Sequence, residues 1–446
     1  MSVKQSVVWS RLTLGVLSSA IGSALSVGLL SAVPVQALHA QSASSCAAAW
    51  SASAVYTAGN VASESGVNYQ ANWWTQNNDP VSNNGGPGSG QPWTSQGSCG
   101  AAPPPPPPAP APSPAPAPSP APAPAPPPAP AGLLFSPYKD VTINLNWNTN
   151  VMRTAVTGSA IPVVGSGSLV STVEPNLGAI TLAFASGECG SESWGGIPAA
   201  SFASANVQPL VNAGVRYVVS TGGQAGSFTC GSSAGMAQFL ARYMSLYMVG
   251  VDFDIEGGQT QAQVNNLIAN AAYAHTLYPN LRFSFTLATL AASDGSYGGL
   301  NGVGDMVVRA VQAANLPNYT INLMVMDFGA ASPGVCVVAN GQCNMGQSAI
   351  QAALNLEHTY GIPASHIELT PMIGMNDNSS EVFTLADVDT VTAYAVNQGL
   401  AGLHFWSLDR DTPCSGSSGY ASPTCNSVSG SSALQYTNRF LHDLGR

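Results

Sequence analysis

The chain has 446 residues, room for two or three domains, and only 7% of its residues are Asp, Glu, Lys or Arg. Its formal net charge is −10, and its only lysines are Lys4 and Lys139. This balance argues against a nucleic-acid partner, which requires clustered Lys and Arg, and is compatible with an uncharged polymer. The six histidines form no cluster and no Cys-x-x-Cys pair occurs. We therefore expect neither a metal nor a cofactor.

Residues 1–40 have the pattern of a secretory signal peptide. Lys4 and Arg11 supply a positive start, the stretch 12–33 is apolar and rich in small residues, and 35–37 or 38–40 suits a cleavage site. An uncleaved membrane anchor is the alternative, which the many Gly and Ser residues of the stretch disfavour. No second run of 18 or more apolar residues follows. We therefore expect a secreted, extracellular protein without membrane contact after cleavage.

The eight cysteines indicate disulfides, because an exported chain matures in an oxidising environment. Their order suggests four local pairs, although eight cysteines allow 105 connectivities. These expected pairs are Cys46–Cys99, Cys189–Cys230, Cys336–Cys343 and Cys414–Cys425.

Residues 44–100 are predicted to form a small β-rich domain, because short apolar runs alternate with turn residues. Fewer than 60 residues bury little core, so a disulfide would help to stabilise them, and the many aromatics cannot all be buried. Adjacent Trp73 and Trp74 on a strand would point to opposite faces, so at least one is expected at the surface. The alternative is that these aromatics form the core.

The same segment resembles the carbohydrate-binding modules of families 5 and 12. The resemblance rests on 71–75 (Ala-Asn-Trp-Trp-Thr), on Pro92-Trp93 and on the closing Cys99. It implies binding to chitin or cellulose through an exposed aromatic platform of Tyr56, Trp73 and Trp74.

Residues 101–132 are predicted to be a linker, since they carry more than half of the chain's 34 prolines. Proline fixes φ and lacks an N–H group, so polyproline II is the natural conformation, and the Pro/Ala run 103–130 would be a semi-rigid spacer of roughly 85 Å. A proline-rich ligand for a partner domain is the alternative.

Residues 133–446 alternate between β and α patterns, which predicts an α/β (β/α)8 TIM barrel, with a doubly wound sheet as the alternative. Catalytic groups of such barrels lie at the carboxyl ends of the strands. The eight predicted strands are Val141–Asn146, Ala179–Ser186, Val215–Thr221, Gly250–Glu256, Arg282–Ala288, Ile321–Asp327, Ile367–Ile373 and Gly402–Ser407.

The fourth predicted strand alternates strictly, so that Asp252, Asp254 and Glu256 share one face at steps of about 7 Å. Mutual repulsion raises the pKa of at least one of them, and such perturbed carboxylates mark acid/base chemistry. A half-exposed strand with a polar face and a metal site are the alternatives.

Asp254 and Glu256 would approach a bound sugar from the same side, because they are two residues apart. A protein nucleophile has to lie across the ring from the acid, so Asp254 is badly placed for that role. An N-acetyl sugar offers its own acetamido oxygen as nucleophile while Glu256 protonates the leaving oxygen and Asp254 orients the acetamido group. This is the substrate-assisted class of glycosidase.

Residues 252–256 (Asp-Phe-Asp-Ile-Glu) resemble the signature of glycoside hydrolase family 18, the chitinases. Ser220-x-Gly222-Gly223, Met324-x-Met326-Asp327 and Trp406 resemble the family's motifs on strands three, six and eight. The resemblance implies Glu256 as proton donor, Asp254 as the acetamido-positioning residue and Asp252 as its buried charge partner. It also implies that Asp327 binds substrate near the cleavage point and that Trp406 is the floor beneath the −1 sugar.

Two positions depart from the family pattern. Val249 replaces the first Asp of D-x-x-D-x-D-x-E, and Met326 replaces a tyrosine whose hydroxyl contacts the acetamido group in many members. Asn376, after the seventh strand, is one candidate for supplying the missing polar contact, and a water is another. Ser220, Met326 and Trp147 complete the expected substrate-binding set, with Trp147 as a sugar-stacking residue.

These observations predict a monomeric, secreted chitinase that cleaves β-1,4 bonds between N-acetylglucosamine units with retention, most favourably in endo mode. Chitin and its oligosaccharides would be its partners. One alternative is an endo-β-N-acetylglucosaminidase acting on other N-acetyl glycans. Another is a non-catalytic chitin-binding protein, against which the retained Glu256 and Asp254 speak.

Overall fold

A computed structural model describes residues 44–85, 89–100, 132–416 and 419–446. The predicted signal peptide, 1–40, and the predicted linker, except for Gly132, lie outside the described residues. The chain divides into two compact units, Met1–Ala117 and Pro118–Arg446. None of the helices in the described ranges has the length and apolarity needed to cross a bilayer.

The first unit is a small β domain, as predicted. Two antiparallel pairings join its main strands, and a hairpin turn at Ser65 and Gly66, both with positive φ, connects two of them. Its core contains Ala62, Tyr69 and Trp93. Its strands are Ser44–Ser45, Val55–Tyr56, Val61–Glu64, Val67–Ala71, Thr75–Gln76 and Trp93–Gly100.

The second unit is a closed barrel of eight parallel strands, which confirms the predicted (β/α)8 architecture. The first strand is split into two pieces. Leu134–Phe135 pairs with the eighth strand and Tyr138–Asp140 pairs with the second, so the sheet closes on itself. In chain order the barrel strands are Leu134–Phe135 with Tyr138–Asp140, Ala179–Glu188, Arg216–Gly222, Met248–Asp254, Arg282–Ala288, Tyr319–Met324, Ile367–Thr370 and Gly402–Leu403.

Helices cover the outside of the barrel and pack their apolar faces on the strands, which gives one large core. The α-helices are Leu169–Thr172, Ala199–Ala213, Ser233–Tyr243, Gln261–Leu277, Gly302–Ala313, Met345–Tyr360, Leu385–Gln398 and Gln435–Asp443, and the 3-10 helices are Ala364–His366 and Leu408–Arg410. The short strands outside the barrel are Arg153–Thr154, Ile161–Pro162, Ser193–Trp194, Ile197–Pro198, Phe228–Thr229, Val338–Ala339, Gln342–Cys343, Gly374–Met375 and Val382–Phe383.

The prediction of the first barrel strand at Val141–Asn146 is wrong. This segment forms turns, and the strand lies just before it, at Leu134–Asp140. The carboxylate of Asp140 accepts hydrogen bonds from the backbone N–H (2.9 Å) and the hydroxyl (2.7 Å) of Thr142. Such an Asp-capped turn ends the strand despite the alternating apolar residues that follow.

The four disulfides of the described residues are those suggested by the order of the cysteines. Each joins neighbours along the chain, with separations of 53, 41, 7 and 11 residues. The bond Cys46–Cys99 closes the small β domain, and the other three lie in the barrel unit.

Candidate active site

The fourth barrel strand, Met248–Asp254, is buried along its whole length and brings the acidic residues to one end of the barrel. The apolar side chains of Val251 and Phe253 pack in the core between the barrel and its helices. Because side chains alternate along a strand, Asp252 and Asp254 point to the inside of the barrel. Glu256 follows the strand end and is half-buried. The predicted strand Gly250–Glu256 extended too far, because the observed strand ends at Asp254, so only Asp252 and Asp254 share its inner face.

Asp252 is buried and is surrounded by hydroxyl groups. Its Oδ2 accepts hydrogen bonds from Tyr138 (2.9 Å) and Ser220 (2.6 Å), and its Oδ1 accepts from Ser284 and Thr286, both at 2.7 Å. Four donors from three other strands hold the carboxylate in one position. Asp252 is therefore the fixed member of the acidic group.

Asp254 lies between Asp252 and Glu256 and is 4% exposed. Burial, the charge of Glu256 and the charge of Asp252, in that order, raise its pKa well above the ordinary value. Its Oδ1 is buried without a hydrogen-bond partner among the described residues. A carboxyl group in this state keeps its proton to higher pH than an ordinary aspartic acid, and one of its oxygens is available to a ligand.

Glu256 is the most accessible of the three acids. Burial raises its pKa above the ordinary value, and a hydrogen bond from the backbone of Gln224 opposes this change. A raised pKa keeps a carboxylic acid protonated at higher pH, which a general acid requires.

Gly222 and Gly223 allow the third strand to pass close to these acids. A Cβ on Gly222, whose φ is +89°, would lie 2.1 Å from the carbonyl oxygen of Asp254. A Cβ on Gly223, at φ +80°, would lie 2.8 Å from the ring of Phe184. The Gly-Gly pair is therefore required by close packing and by backbone conformation.

A cavity of about 310 Å³ opens above the acids. It brings together the predicted residues Asp254, Glu256, Met326, Asp327 and Trp406. The other lining residues are Tyr138, Phe184, Gln224, Thr286, Met324, Thr370, Met372, Asp377, Arg410, Ala421, Ser422 and Pro423.

Trp406 forms an aromatic surface at this cavity and is partly accessible. Its ring stacks on Phe184, with centroids 5.6 Å apart and an angle of 20° between the planes. Tyr138 contacts the same ring from the side, at 6.2 Å. A flat, supported indole of this kind is suited to the apolar face of a sugar ring.

Asp327 also lines the cavity, and backbone N–H groups hold its carboxylate. Its Oδ1 accepts the N–H groups of Asp377 (2.8 Å) and Asn378 (3.4 Å). Burial and the neighbouring Asp377 raise its pKa.

Three expected substrate-binding residues do not line the cavity, and two of them, Ser220 and Asn376, are buried. Ser220 is fully buried because its hydroxyl is committed to Asp252. Asn376 is also fully buried. Its amide donates to the carbonyl oxygens of Met372 (2.9 Å) and Gly374 (3.1 Å), so it cannot replace the missing tyrosine hydroxyl.

Trp147 lies in the turn that follows the first barrel strand and is 60% exposed. It does not line the cavity. Its predicted contact with a sugar would thus lie outside the cavity.

Arg410 was not singled out as a site residue by its sequence context. It is 1% exposed, lines the cavity and donates to the carbonyl oxygens of Ile373 (3.0 Å) and Ser422. Ser422 belongs to the loop closed by Cys414–Cys425, so Arg410 ties this wall of the cavity to the barrel. In the sequence, the position of Arg410 four residues after Trp406 is the feature that indicates its proximity to the cavity.

In the β domain, Trp73 and Trp74 are 46% and 60% exposed. The expectation of at least one exposed ring is met, since both rings are accessible, but its premise is wrong, because the two residues lie in a bend between two strands. Tyr56 is half-buried against Trp93, with its ring 5.0 Å away in an edge contact. Trp93 itself is a core residue.

Comparison with known proteins gives different matches for the β domain and for the chain as a whole. A family model described as carbohydrate-binding module family 5/12 matches residues 49–94. A probable bifunctional chitinase/lysozyme of Escherichia coli (strain K12) is 27% identical over 228 residues, which are 46% of this chain and 24% of that protein. Endochitinase 11 of Metarhizium anisopliae is also 27% identical over 228 residues, which are 46% of this chain and 42% of that protein.

Among solved structures, the catalytic domain of the hyperthermophilic chitinase from Pyrococcus furiosus aligns with a TM-score of 0.53 at 22% identity. The alignment covers 70% of this chain and 95% of that chain. The chain spans less than half the length of the two curated relatives. The barrel therefore has the fold of a chitinase catalytic domain, as the family 18 resemblance implied. The chain is a relative of chitinases that also carries a family 5/12 carbohydrate-binding module.

Proposed function

We propose that this chain is a chitinase that hydrolyses β-1,4 bonds between N-acetylglucosamine units by substrate-assisted, retaining catalysis. The observation that carries the proposal is the buried Asp254, with its raised pKa, between the fixed Asp252 and the accessible Glu256, beneath a cavity with an aromatic wall. The names of the two curated relatives support the same substrate.

In the proposed reaction, the −1 sugar stacks on Trp406 and Glu256 donates its proton to the leaving glycosidic oxygen. The acetamido oxygen of the same sugar attacks the anomeric carbon and forms an oxazolinium ion. The N–H of the acetamido group donates a hydrogen bond to Asp254, whose Oδ1 is buried without a partner among the described residues, and this contact orients the group and stabilises the positive charge that develops there. Glu256, now ionised, removes a proton from the water that opens this ion, and the product keeps the β configuration.

Endo action is part of the proposal. The segment between the seventh barrel strand and the helix Leu385–Gln398 contains only the short hairpin of Gly374–Met375 and Val382–Phe383. An inserted domain that would close one end of the cavity is thus missing from this described segment. An open cavity accepts a chain at internal positions.

Binding of insoluble chitin through Trp73 and Trp74 of the module, with Tyr56 as a supporting ring, is also proposed. The match to the family 5/12 model and the exposure of both indoles support this role. Secretion of a monomer into an oxidising compartment is supported by the four disulfides.

The test is hydrolysis of a chitin oligosaccharide by the wild type and by Glu256→Gln, with the anomer of the product followed by NMR. We expect β product first, and a loss of at least about 100-fold in the variant, the scale of a lost general acid. Glu357→Gln, on the outer helix Met345–Tyr360, is the matched control and should keep wild-type activity.

Unchanged activity of Glu256→Gln would show that the acid is misassigned. Absence of turnover by the wild type, with binding retained, would favour a chitin-binding protein, and turnover of other N-acetyl glycans alone would favour a different glycosidase.

A further inference from the structure

Below Asp252, the inside of the barrel contains a second group of charged and titratable side chains. We call Arg282, Glu368 and His404 the basal cluster. Arg282 forms an ion pair with Glu368, and the two side chains are 13% and 2% exposed. His404 Nε2 lies 3.0 Å from Glu368 Oε2, and its Nδ1 lies 2.9 Å from the carbonyl oxygen of Ser136.

The register of the strands brings this cluster directly under the acids. Arg282 pairs with Gly250, two residues before Asp252, and Glu368 pairs with Gly402, two residues before His404. Successive inward-facing positions on one strand are two residues apart. The basal cluster is therefore the layer next to Asp252, on the side away from the active-site cavity.

A closed cavity of about 10 Å³ separates the two layers. Its walls include Asp252, Ser284 and all three residues of the basal cluster. This volume holds about one water, and the walls offer the polar partners that a buried water requires. Arg282 and Asp252 therefore line the same small cavity.

The titratable and charged groups that face Asp252 come from five strands. They are Tyr138 from the first, Asp254 and Glu256 from its own, Arg282 from the fifth, Glu368 from the seventh and His404 from the eighth. Burial and the charge of Arg282 lower the pKa of His404 to about 4, so it is neutral near pH 7. Burial lowers the pKa of Arg282 only to about 10. Arg282 is therefore the one lasting cation among these groups.

The hydroxyl groups around Asp252 are neutral, and hydrogen bonds alone leave a buried carboxylate costly. Two neighbouring carboxyl groups share protons unequally, and the one with a cation nearby stays ionised. A cation beneath Asp252 therefore moves the shared proton upward, onto Asp254 and Glu256, where the proposed reaction needs it.

We propose that Arg282, oriented by Glu368, is a positioning residue whose charge beneath the acidic group favours retention of the catalytic proton on the Asp254–Glu256 pair. The predicted effect on catalysis rests on the proposed function. The arrangement of charges beneath the acids does not.

The test compares the pH dependence of kcat for Arg282→Met, Arg282→Lys and Glu368→Gln. Loss of the cation raises the pKa values of the nearby carboxyl groups, so Arg282→Met should move the alkaline limb upward by about 1 pH unit. Loss of the anion should move it downward in Glu368→Gln. Arg282→Lys keeps the charge and should restore the wild-type limb.

The limb is measured above pH 7, where an ordinary histidine is neutral, because loss of Arg282 also frees the pKa of His404 to rise. Arg309→Met removes an exposed cation paired with Asp305 and should leave the profile unchanged. Shifts of the same sign in Arg282→Met and Glu368→Gln, or no shift in either folded variant, would overturn the proposal. If Arg282→Met does not fold, the direction of the shift in Glu368→Gln decides.

A second readout does not depend on turnover. The protein is labelled with ¹³C at the Asp carboxyl carbons and titrated by NMR, with the Asp254 resonance assigned from Asp254→Asn. The midpoint of the Asp254 titration should move to higher pH in Arg282→Met, the direction expected for the alkaline limb, and should keep its wild-type value in Arg282→Lys. A move to lower pH in Arg282→Met would overturn the proposal. An unchanged Asp254 titration would refute the charge role even if the wild type is active. A changed titration in an inactive wild type would instead leave the charge role supported and the proposed function refuted.

Discussion

At the scale of single residues, the buried Asp254 makes a prediction about stability. Its pKa in the folded protein is raised above the unfolded value of about 3.9. The proton therefore stabilises the fold fully below pH 4, and this contribution is lost as the pH rises through the folded pKa. Asp254→Asn cannot lose a proton. Calorimetry should show a melting temperature close to that of the wild type at pH 4 and above it at pH 8.

Asp305 gives a control of opposite sign. A hydrogen bond from Arg309 lowers its pKa, so its contribution to stability is present above the unfolded pKa and is lost as the pH falls. Asp305→Asn should therefore be less stable than the wild type at pH 8, and the difference should vanish on acidification. If the melting temperature of Asp254→Asn instead falls relative to that of the wild type between pH 4 and pH 8, the raised pKa of Asp254 is refuted.

The sequence predicts the position of a candidate site residue where the spacing along a strand alone determines it. Asp252 and Asp254 follow from the alternation of one strand, which fixes the face to which each side chain points. Asn376 was assigned to the cavity from its place after a strand. A loop residue has no such constraint, and its amide satisfies two backbone carbonyl groups instead. Arg410 was missed because its role depends on carbonyl oxygens from two distant segments.

At the scale of elements, the approach of the third strand to the fourth depends on Gly222. A Cβ at this position would collide with the carbonyl oxygen of Asp254, at 2.1 Å, and the φ of +89° is itself unfavourable for other residues. Gly222→Ala should move Asp254 and lower kcat by about 100-fold, the effect of a small misplacement of reacting groups. Hydrolysis of a soluble chitin oligosaccharide measures this loss.

Gly399→Ala is the control that separates the effect of a steric clash from the effect of a positive φ. Gly399 ends the helix Leu385–Gln398 at a φ of +68°, and a Cβ there would meet no atom within 4 Å. This variant should lose about 1 kcal/mol of stability from the backbone alone and keep its kcat. Equal kcat values in both glycine variants would contradict the role given to Gly222.

The barrel strands also show where sequence patterns fail. The fifth strand was predicted with its observed bounds, Arg282–Ala288, because a buried parallel strand is a continuous run of suitable residues. The first was misplaced because Val141, Ile143 and Leu145 alternate as a strand would. The capping of Thr142 by Asp140 is a short-range interaction that overrides this period.

At the scale of the whole molecule, the proposed chemistry belongs to the barrel unit and the proposed chitin binding to the small β domain. The fold of each unit was predictable from its own pattern, namely aromatics with turns and one disulfide in the first, and alternating strands and helices in the second. Tethering would raise the concentration of the barrel at a polymer surface without changing its chemistry. The two activities should therefore respond to different substitutions.

Replacement of the exposed indoles tests this separation in the full chain. Trp73→Ala and Trp74→Ala should each weaken binding to chitin beads by about tenfold, since an exposed aromatic platform contributes about 1.4 kcal/mol per ring to binding. Hydrolysis of the insoluble polymer should fall with binding, whereas kcat and KM for a soluble oligosaccharide should stay at wild-type values. Val81→Ala, an exposed apolar residue of the same module, is the control and should change neither property. A parallel fall in the soluble assay would show that the indoles act on the barrel, and unchanged bead binding would assign adhesion to other aromatics, such as Trp147.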